Sequence, residues 1–370
     1  MKQVAIITGI TGQDGSYLAE DLLEQGVQVY GGIRHTSTTP HNLDRISGLT
    51  DKYPSAFKLI HFDLMDSCSI EKFVKEVYDD VQNVLKLGNY LQVYNLAAQS
   101  HVGDSFRIPT VTHQINALGV IALLQSLHTH FKNSFRFYQA STSELYGNIK
   151  VNGRKVRKMT ENTPFNPESP YAVAKMAAYQ TVVNYRKAHD IHAVNGILFN
   201  HESPRRGVDF VTRKITKYVA NYALNRVPFD RPLQLGNLAA KRDWGDAREY
   251  IKAMQLMLNK AEGDSITDYV VATGDTHSVK TFVTQAFQKV GVSLEWRGSG
   301  VQEKGVRNNN GSRDVLVEVN SEFYRPIDVA YLCGNSEKIE KNLQWKPTVS
   351  LKELISDMVE QDILDLKNRN

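Results

Sequence analysis

Tyr171 and Lys175 stand four residues apart in Ser169-Pro170-Tyr171-Ala172-Val173-Ala174-Lys175. On a helix that spacing places both side chains on one face. A free tyrosine titrates near ~10, and a close ammonium favours the phenolate and lowers that value. Tyr171 could then take the proton of a substrate hydroxyl while a hydride leaves the same carbon. The bare spacing is common on solvated helix faces and carries little alone. Upstream, however, stands Gln139-Ala140-Ser141-Thr142-Ser143-Glu144-Leu145-Tyr146-Gly147. Thr142 offers a hydroxyl to an oxygen undergoing oxidation. Glu144 offers a carboxylate that could remove a neighbouring C–H proton and then protonate a leaving hydroxyl. Simple dehydrogenation needs no such group. The bland alternative for Glu144 is a helix or turn cap.

A second signal opens the chain. Val4–Thr8 runs into Gly9-Ile10-Thr11-Gly12-Gln13-Asp14-Gly15 and then into a helical pattern. Glycines at this spacing permit a tight turn and close approach by a pyrophosphate, and the helix start offers unpaired N–H groups to it. A glycine triplet alone is weak, but here it follows a strand and opens a helix, as a dinucleotide site requires. An NAD site places an acid after the second strand to bind the ribose 2′-hydroxyl. No acid occurs between Val27 and Pro40, and Arg34 stands there instead. A guanidinium suits a 2′-phosphate, so the cofactor reading is NADP. Asp63, after the third strand, could accept from an adenine amino group or cap a helix.

These residues need a scaffold that gathers strand ends. Short apolar runs recur at 4–8, 27–30, 58–62, 93–96, 135–139, 193–198 and 269–272, with helical patterns between them, such as Ser16–Gly26 and Tyr171–His189. Alternating strands and helices predict an α/β fold, a Rossmann-like doubly wound parallel sheet covered on both faces. Residues 1–198 read as the NADP-binding domain, with a return segment at about 246–273. Residues 199–370 read mainly as a smaller α/β substrate domain, with long loops at 200–210 and 296–313 and an amphipathic helix from Leu351.

Composition bounds the alternatives. Of 370 residues, 41% are hydrophobic and 23% charged, which excludes a disordered or collagen-like chain. A net charge of +4 and the absence of a recognition motif give no support to nucleic-acid binding. No apolar run approaches the ~18 residues of a membrane span, and the short apolar run at the N-terminus is neither a signal peptide nor an anchor. Cys68 and Cys333 have no metal-type spacing, so no metal site is expected, and a reducing, cytoplasmic compartment is.

The glycine pattern with Tyr171 and Lys175 resembles the extended short-chain dehydrogenase/reductase superfamily. More narrowly, the chain resembles the GDP-mannose 4,6-dehydratase family. The segments carrying the resemblance are TGITGQDGSYL (from Thr8), YNLAAQSHV (from Tyr94), FYQASTSELYG (from Phe137), SPYAVAK (from Ser169), AVNGILFNHESPRRG (from Ala193), FVTRKI (from Phe210), LGNLAAKRDWGDAREY (from Leu235), VATGDTHSV (from Val271) and FYRP (from Phe323). FNHESPRRG and LGNLAAKRDWG are far more specific than the superfamily patterns.

The resemblance implies NADP-dependent conversion of GDP-D-mannose to GDP-4-keto-6-deoxy-D-mannose and water, the first step towards GDP-fucose. It carries Thr142, Glu144, Tyr171 and Lys175 onto catalytic positions. It carries Gly9, Thr11, Gly12, Gln13, Asp14, Gly15, Arg34, Asp63 and Leu64 onto cofactor contacts, joined by Leu96, Ala98, Ser100, Tyr171, Lys175, His201 and Arg206. Substrate contacts fall on Ser100, Thr142, Glu144, Asn200, Lys214, Gly236, Arg242 and Arg325, with Arg205 and Arg307 as further cationic candidates. A homodimer or homotetramer is implied as well. The sequence departs from the family at Arg34-His35-Thr36-Ser37, where two arginines and serines are usual, and at Asn308-Asn309-Asn310. Two other readings stay open: a nucleotide-sugar epimerase or 4-reductase on the same scaffold, and an NADP-binding scaffold without chemistry. Some family members also reduce their product to GDP-rhamnose, an activity the sequence leaves open.

Overall fold

The computed structural model describes residues 3–34, 43–85, 89–151, 153–227, 231–260, 266–309, 312–324 and 327–368. The expectations placed on 35–42 and on Arg325 lie outside the described residues. The chain divides into two compact units, 1–198 with 247–271 and 335–346, and 199–246 with 272–334 and 347–370.

In the first unit, β1 (Val4–Thr8), β2 (Gln28–Ile33), β3 (Phe57–His61), β4 (Leu91–Asn95), β5 (Phe135–Ala140) and β6 (His192–Leu198) join the strand Tyr269–Val271 in one sheet. Its order is Tyr269–Val271, β6, β5, β4, β1, β2, β3, and all pairings are parallel. Every residue of β1 and β4 is buried, as a sheet covered on both faces demands. One face packs Ala5, Ile7 and Val29 against Leu18, Leu22 and Met254. The other packs Ile6 and Val93 against Phe73, Leu123 and Val182. The strand order reverses between β1 and β4, and the carboxyl ends of strands at such a reversal are where this architecture binds ligands.

Helix α1 (Gln13–Glu24) begins before the expected Ser16, so Gln13, Asp14 and Gly15 form its first turn. Helices α2 (Ser67–Leu85) and α3 (Gly119–Phe131) follow, the latter entered through a π-helical turn at Gln114–Leu118. Helix α4 (Pro170–His189) is started by Ser169, whose hydroxyl accepts from Ala172 N at 3.1 Å, and by Pro170 in the first turn. The segment Asn335–Lys346 also belongs to this unit, a return that no sequence pattern announced. It buries Ile339 and hydrogen-bonds Trp345 Nε1 to Glu249 O at 2.9 Å.

The second unit holds a four-stranded sheet in the order Leu233–Leu235, Ser312–Val319, Lys304–Asn309, Glu295–Arg297. Its core packs Ile215 and Val219 with Phe282, Phe287, Leu354 and Met358 from three helices. The expected loop at 296–313 is therefore largely an antiparallel hairpin. Lys-Gly-Val-Arg-Asn-Asn has almost no apolar alternation, so pairing with its neighbour, rather than its own residues, makes it a strand. The expected loop at 200–210 likewise opens with a strand, Asn200–Glu202, parallel to Trp244–Asp246. No described helix is long and apolar enough to cross a membrane.

Candidate active site

The glycine turn is set by steric room. Gly9 has φ +67°, and a Cβ there would lie 2.8 Å from Ala97 N; one on Gly15 would lie 2.4 Å from Gly9 O. Gly12 N donates to Gly9 O at 2.9 Å, and α1 departs from Gly12. Asp14 sits in its first turn and accepts from Gln13 Nε2. Arg45 Nη1 donates to Thr11 O at 2.9 Å and braces the turn from outside. Sequence reasoning gave Arg45 no role, and its 34-residue separation from Thr11 offered no signal. Arg34 follows β2 and is exposed. Asp63 Oδ1 accepts from Met65 N at 3.0 Å in a local turn, whereas Asp66 Oδ1, accepting from Cys68 N, sits at the start of α2; Leu64 is buried. Leu96 N donates to Thr8 Oγ1 at 3.1 Å, opening the loop that carries Ala98 and the exposed Ser100. Asn116, in the π-helical turn, accepts from Gln99 N and donates to Gln99 O, fixing that loop. A π-turn carrying a buried amide is the signal that could have found Asn116.

At the end of β5 the chain turns through Thr142, whose Oγ1 accepts from Glu144 N at 3.2 Å. This cap starts the 3₁₀ turn Ser143–Tyr146 and holds Glu144 half-buried on it. The turn packs on α4. Tyr171 and Lys175 lie on α4, both buried, with the Lys175 ammonium 5.9 Å from the Tyr171 ring centre. Lys175 Nζ donates to Ala140 O at 2.9 Å. Burial disfavours its charged form and lowers its pKa to about 8. Thr142, Glu144, Tyr171 and Lys175 are thus gathered at one end of the first unit's sheet. The Ser141 hydroxyl, 5% exposed, is a buried polar atom with no protein partner beside them.

The second unit carries the other predicted residues. His201 is buried with Nδ1 2.8 Å from Phe199 O, and it follows Asn200 on the same short strand. Arg206 pairs with Glu202 at 3.2 Å and stacks on the Phe210 ring at 3.7 Å. Arg205 N donates to Ser203 Oγ at 3.1 Å. The Lys214 ammonium lies 3.9 Å from the Phe323 ring centre, and burial lowers its pKa. Gly236 admits the same segment, since a Cβ there would meet Phe323 O at 2.8 Å. Arg242 is buried, donates to Val329 O at 2.6 Å and pairs with Asp328 at 3.4 Å. Asp328 accepts from Asn237 as well. Arg307 pairs with Asp314 at 3.2 Å. Asp243 was not foreseen: fully buried, it accepts from Thr273 N, Thr273 Oγ1, Gly274 N and Gly334 N. Among the described residues, no group of three His, Cys, Asp or Glu side chains could hold a metal ion.

A parallel sheet with a glycine turn after its first strand, a threonine at a strand end and a Tyr–Lys pair on a helix defines an enzyme of the short-chain dehydrogenase/reductase type. A solved structure with this fold is UDP-glucose 4-epimerase of Thermus thermophilus in complex with NAD. It matches with a TM-score of 0.73 over 97% of this chain and 99% of that chain, at 21% identity. The chain belongs to the GDP-mannose 4,6 dehydratase family, whose model matches residues 6–358. GDP-mannose 4,6 dehydratase of Dictyostelium discoideum is 44% identical across 99% of this chain and 98% of its own length. The human enzyme of that name is 45% identical across 98% of this chain and 92% of its own length.

Proposed function

We propose that this chain is an NADP-dependent hydro-lyase that converts GDP-D-mannose to GDP-4-keto-6-deoxy-D-mannose and water. The observation that carries the reading is Glu144, held by the Thr142 cap on a turn packed against the Tyr171–Lys175 helix. Oxidation and reduction at one carbon would not need that carboxylate, whereas elimination does. The full-length family match supports the same substrate.

The first unit's residues fit a dinucleotide. Gly9 and Gly15 close a turn that side chains would block, and α1 starts there with N–H groups aimed outward. Gly12, Gln13 and Leu96 would belong to that cradle, Arg34 would bind the 2′-phosphate, and the unpartnered Ser141 hydroxyl would serve the nicotinamide end. When bound, NADP would supply the hydride acceptor for C4 of the sugar and the hydride donor for C6.

Tyr171, as phenolate, removes the O4 proton. Lys175 favours that phenolate through its charge and holds the ribose. Thr142 donates to the 4-oxygen. The resulting ketone acidifies the C5 proton, which Glu144 removes. Glu144 then passes a proton to the C6 hydroxyl, which leaves as water, and C5 is reprotonated. One carboxyl thus acts as base and then as acid. In the second unit, Asn200, Lys214, Arg242 and Arg325 serve the GDP moiety, with Arg206 on the cofactor.

The test is incubation of the protein with GDP-mannose and catalytic NADP+, followed by mass spectrometry and proton NMR. Loss of about 18 Da, one water per elimination, with a new C6 methyl signal is the expected result. Unchanged mass with an inverted C4 would reassign the enzyme as an epimerase.

A further inference from the structure

We infer that Gln139 is a positioning residue for Lys175, acting through the carbonyl of Ala140. Thr8, Asn95 and Gln139 lie in register at the carboxyl ends of β1, β4 and β5. All three are buried to 1% exposure or less, where apolar residues would be the cheaper choice. Their side chains form one continuous ladder. Thr8 Oγ1 donates to Asn95 Oδ1 at 2.7 Å, and Asn95 Nδ2 donates to Gln139 Oε1 at 2.8 Å. Gln139 Nε2 then donates to Ala140 O at 3.0 Å, the same oxygen that accepts from Lys175 Nζ at 2.9 Å.

The far end of the ladder is as informative. Leu96 N and Ala97 N both donate to Thr8 Oγ1 at 3.1 Å. They begin the loop after β4, whose backbone also closes against Gly9. The ladder therefore joins the loop behind the glycine turn to the oxygen that anchors the catalytic lysine. Polar groups placed only to hold strands together have no need to reach Ala140 O. A carbonyl shared by two donors is fixed in direction, and it fixes Lys175 relative to Tyr171 on the preceding turn of α4.

The inference rests on the reading of Lys175 given above, so Lys175→Met is measured alongside. Gln139→Met removes both rungs but leaves the Asn95 amide buried without its partner, which lowers stability. The double variant Asn95→Leu/Gln139→Met removes both ends of that bond and leaves only the Thr8 hydroxyl, which keeps its two backbone donors, without an acceptor. Each protein is assayed on GDP-mannose with saturating NADP+, and its thermal unfolding is recorded. The expected result is a folded double variant whose kcat falls about tenfold or more while KM stays within about threefold, the mark of lost alignment rather than lost binding. A folded double variant with kcat within about twofold of the parent, beside an inactive Lys175→Met, would overturn the role of Gln139 alone. An active Lys175→Met would overturn the reading of Lys175 itself.

Discussion

Helix α4 carries one buried and one half-buried cation that the protein treats in opposite ways. Lys175, near its start, hydrogen-bonds a backbone carbonyl, and burial brings its pKa down to about 8. Arg186, three turns later, makes two hydrogen bonds to Asp268, at 2.8 and 3.0 Å. Asp268 also accepts from Tyr179 Oη and Asn195 N. Burial pushes the Asp268 carboxyl up, but its bonds to Arg186 outweigh this and hold it below the usual range. The second arrangement compensates its charges and anchors the strand Tyr269–Val271 to α4. The first leaves a charge poorly compensated, a cost in stability that keeps a titratable group near neutrality where chemistry can use it.

The comparison breaks most visibly at Lys175. Lys175→Met should lower kcat by about 10²–10⁴-fold, the scale of acid–base assistance, while leaving the protein at least as resistant to thermal unfolding at pH 7. A wild-type rate would refute the catalytic half of the contrast. Arg186→Met should do the reverse. It strands a buried carboxylate, so chemical denaturation should report a loss of about 3–5 kcal/mol, with kcat of the remaining folded enzyme within about threefold. A stable but inactive Arg186→Met would mean that the two halves of α4 are not separable.

The pH dependence sharpens the contrast: both folded pKa values are lowered, so both contributions rise with pH, but at pH 7 that of Lys175 is a cost and that of Asp268 a gain. The Lys175 pKa is lower folded than the ~10.4 of an unfolded lysine. The unfolded chain therefore binds the proton more tightly below that value, and this residue's contribution to stability improves as pH rises from about 8 to about 10.4. The excess stability of Lys175→Met over the parent should shrink across that window. Asp268 has a lowered folded pKa, so its contribution is complete above the unfolded ~3.9 and is lost as pH falls through the folded value. Arg186→Met should accordingly unfold at a less acidic pH than the parent. Unfolding free energies across both windows check the two signs.

The smallest effect is expected at an exposed cation. Arg34→Ala should weaken NADP+ binding by about 10–100-fold, the worth of a charge-assisted hydrogen bond, and leave NAD+ binding nearly unchanged. Titration calorimetry with both cofactors measures it. Equal losses for the two would remove Arg34 from the 2′-phosphate.

The two units also differ in how much of them could be read in advance. The first announced itself through buried strands of continuous apolar residues, a glycine turn and a capped helix, all local patterns. Tyr171 and Lys175 were legible because helical spacing alone joins them. Arg45 and Asn116 were not, since each acts through a backbone atom brought near by the fold, and Gln139 was not, since the fold alone brings Lys175 to the same Ala140 carbonyl. In the second unit the hairpin of Lys304–Asn309 with Ser312–Val319 owes its form to pairing rather than alternation. Asp243, an acid in a charged run, gave no hint that it would be fully buried with four donors around it. Local periodicity reveals elements, whereas buried polar contacts across the chain do not leave a period.

The central claim is an internal hydride transfer coupled to elimination at Glu144. GDP-mannose deuterated at C4 tests it most directly, with catalytic NADP+ and product analysis by NMR. The account predicts deuterium in the C6 methyl group of a 4-keto product that has lost water, and no such product from Glu144→Gln. Deuterium remaining at C4 with no loss of water, or a Glu144→Gln variant eliminating at the parent rate, would contradict it.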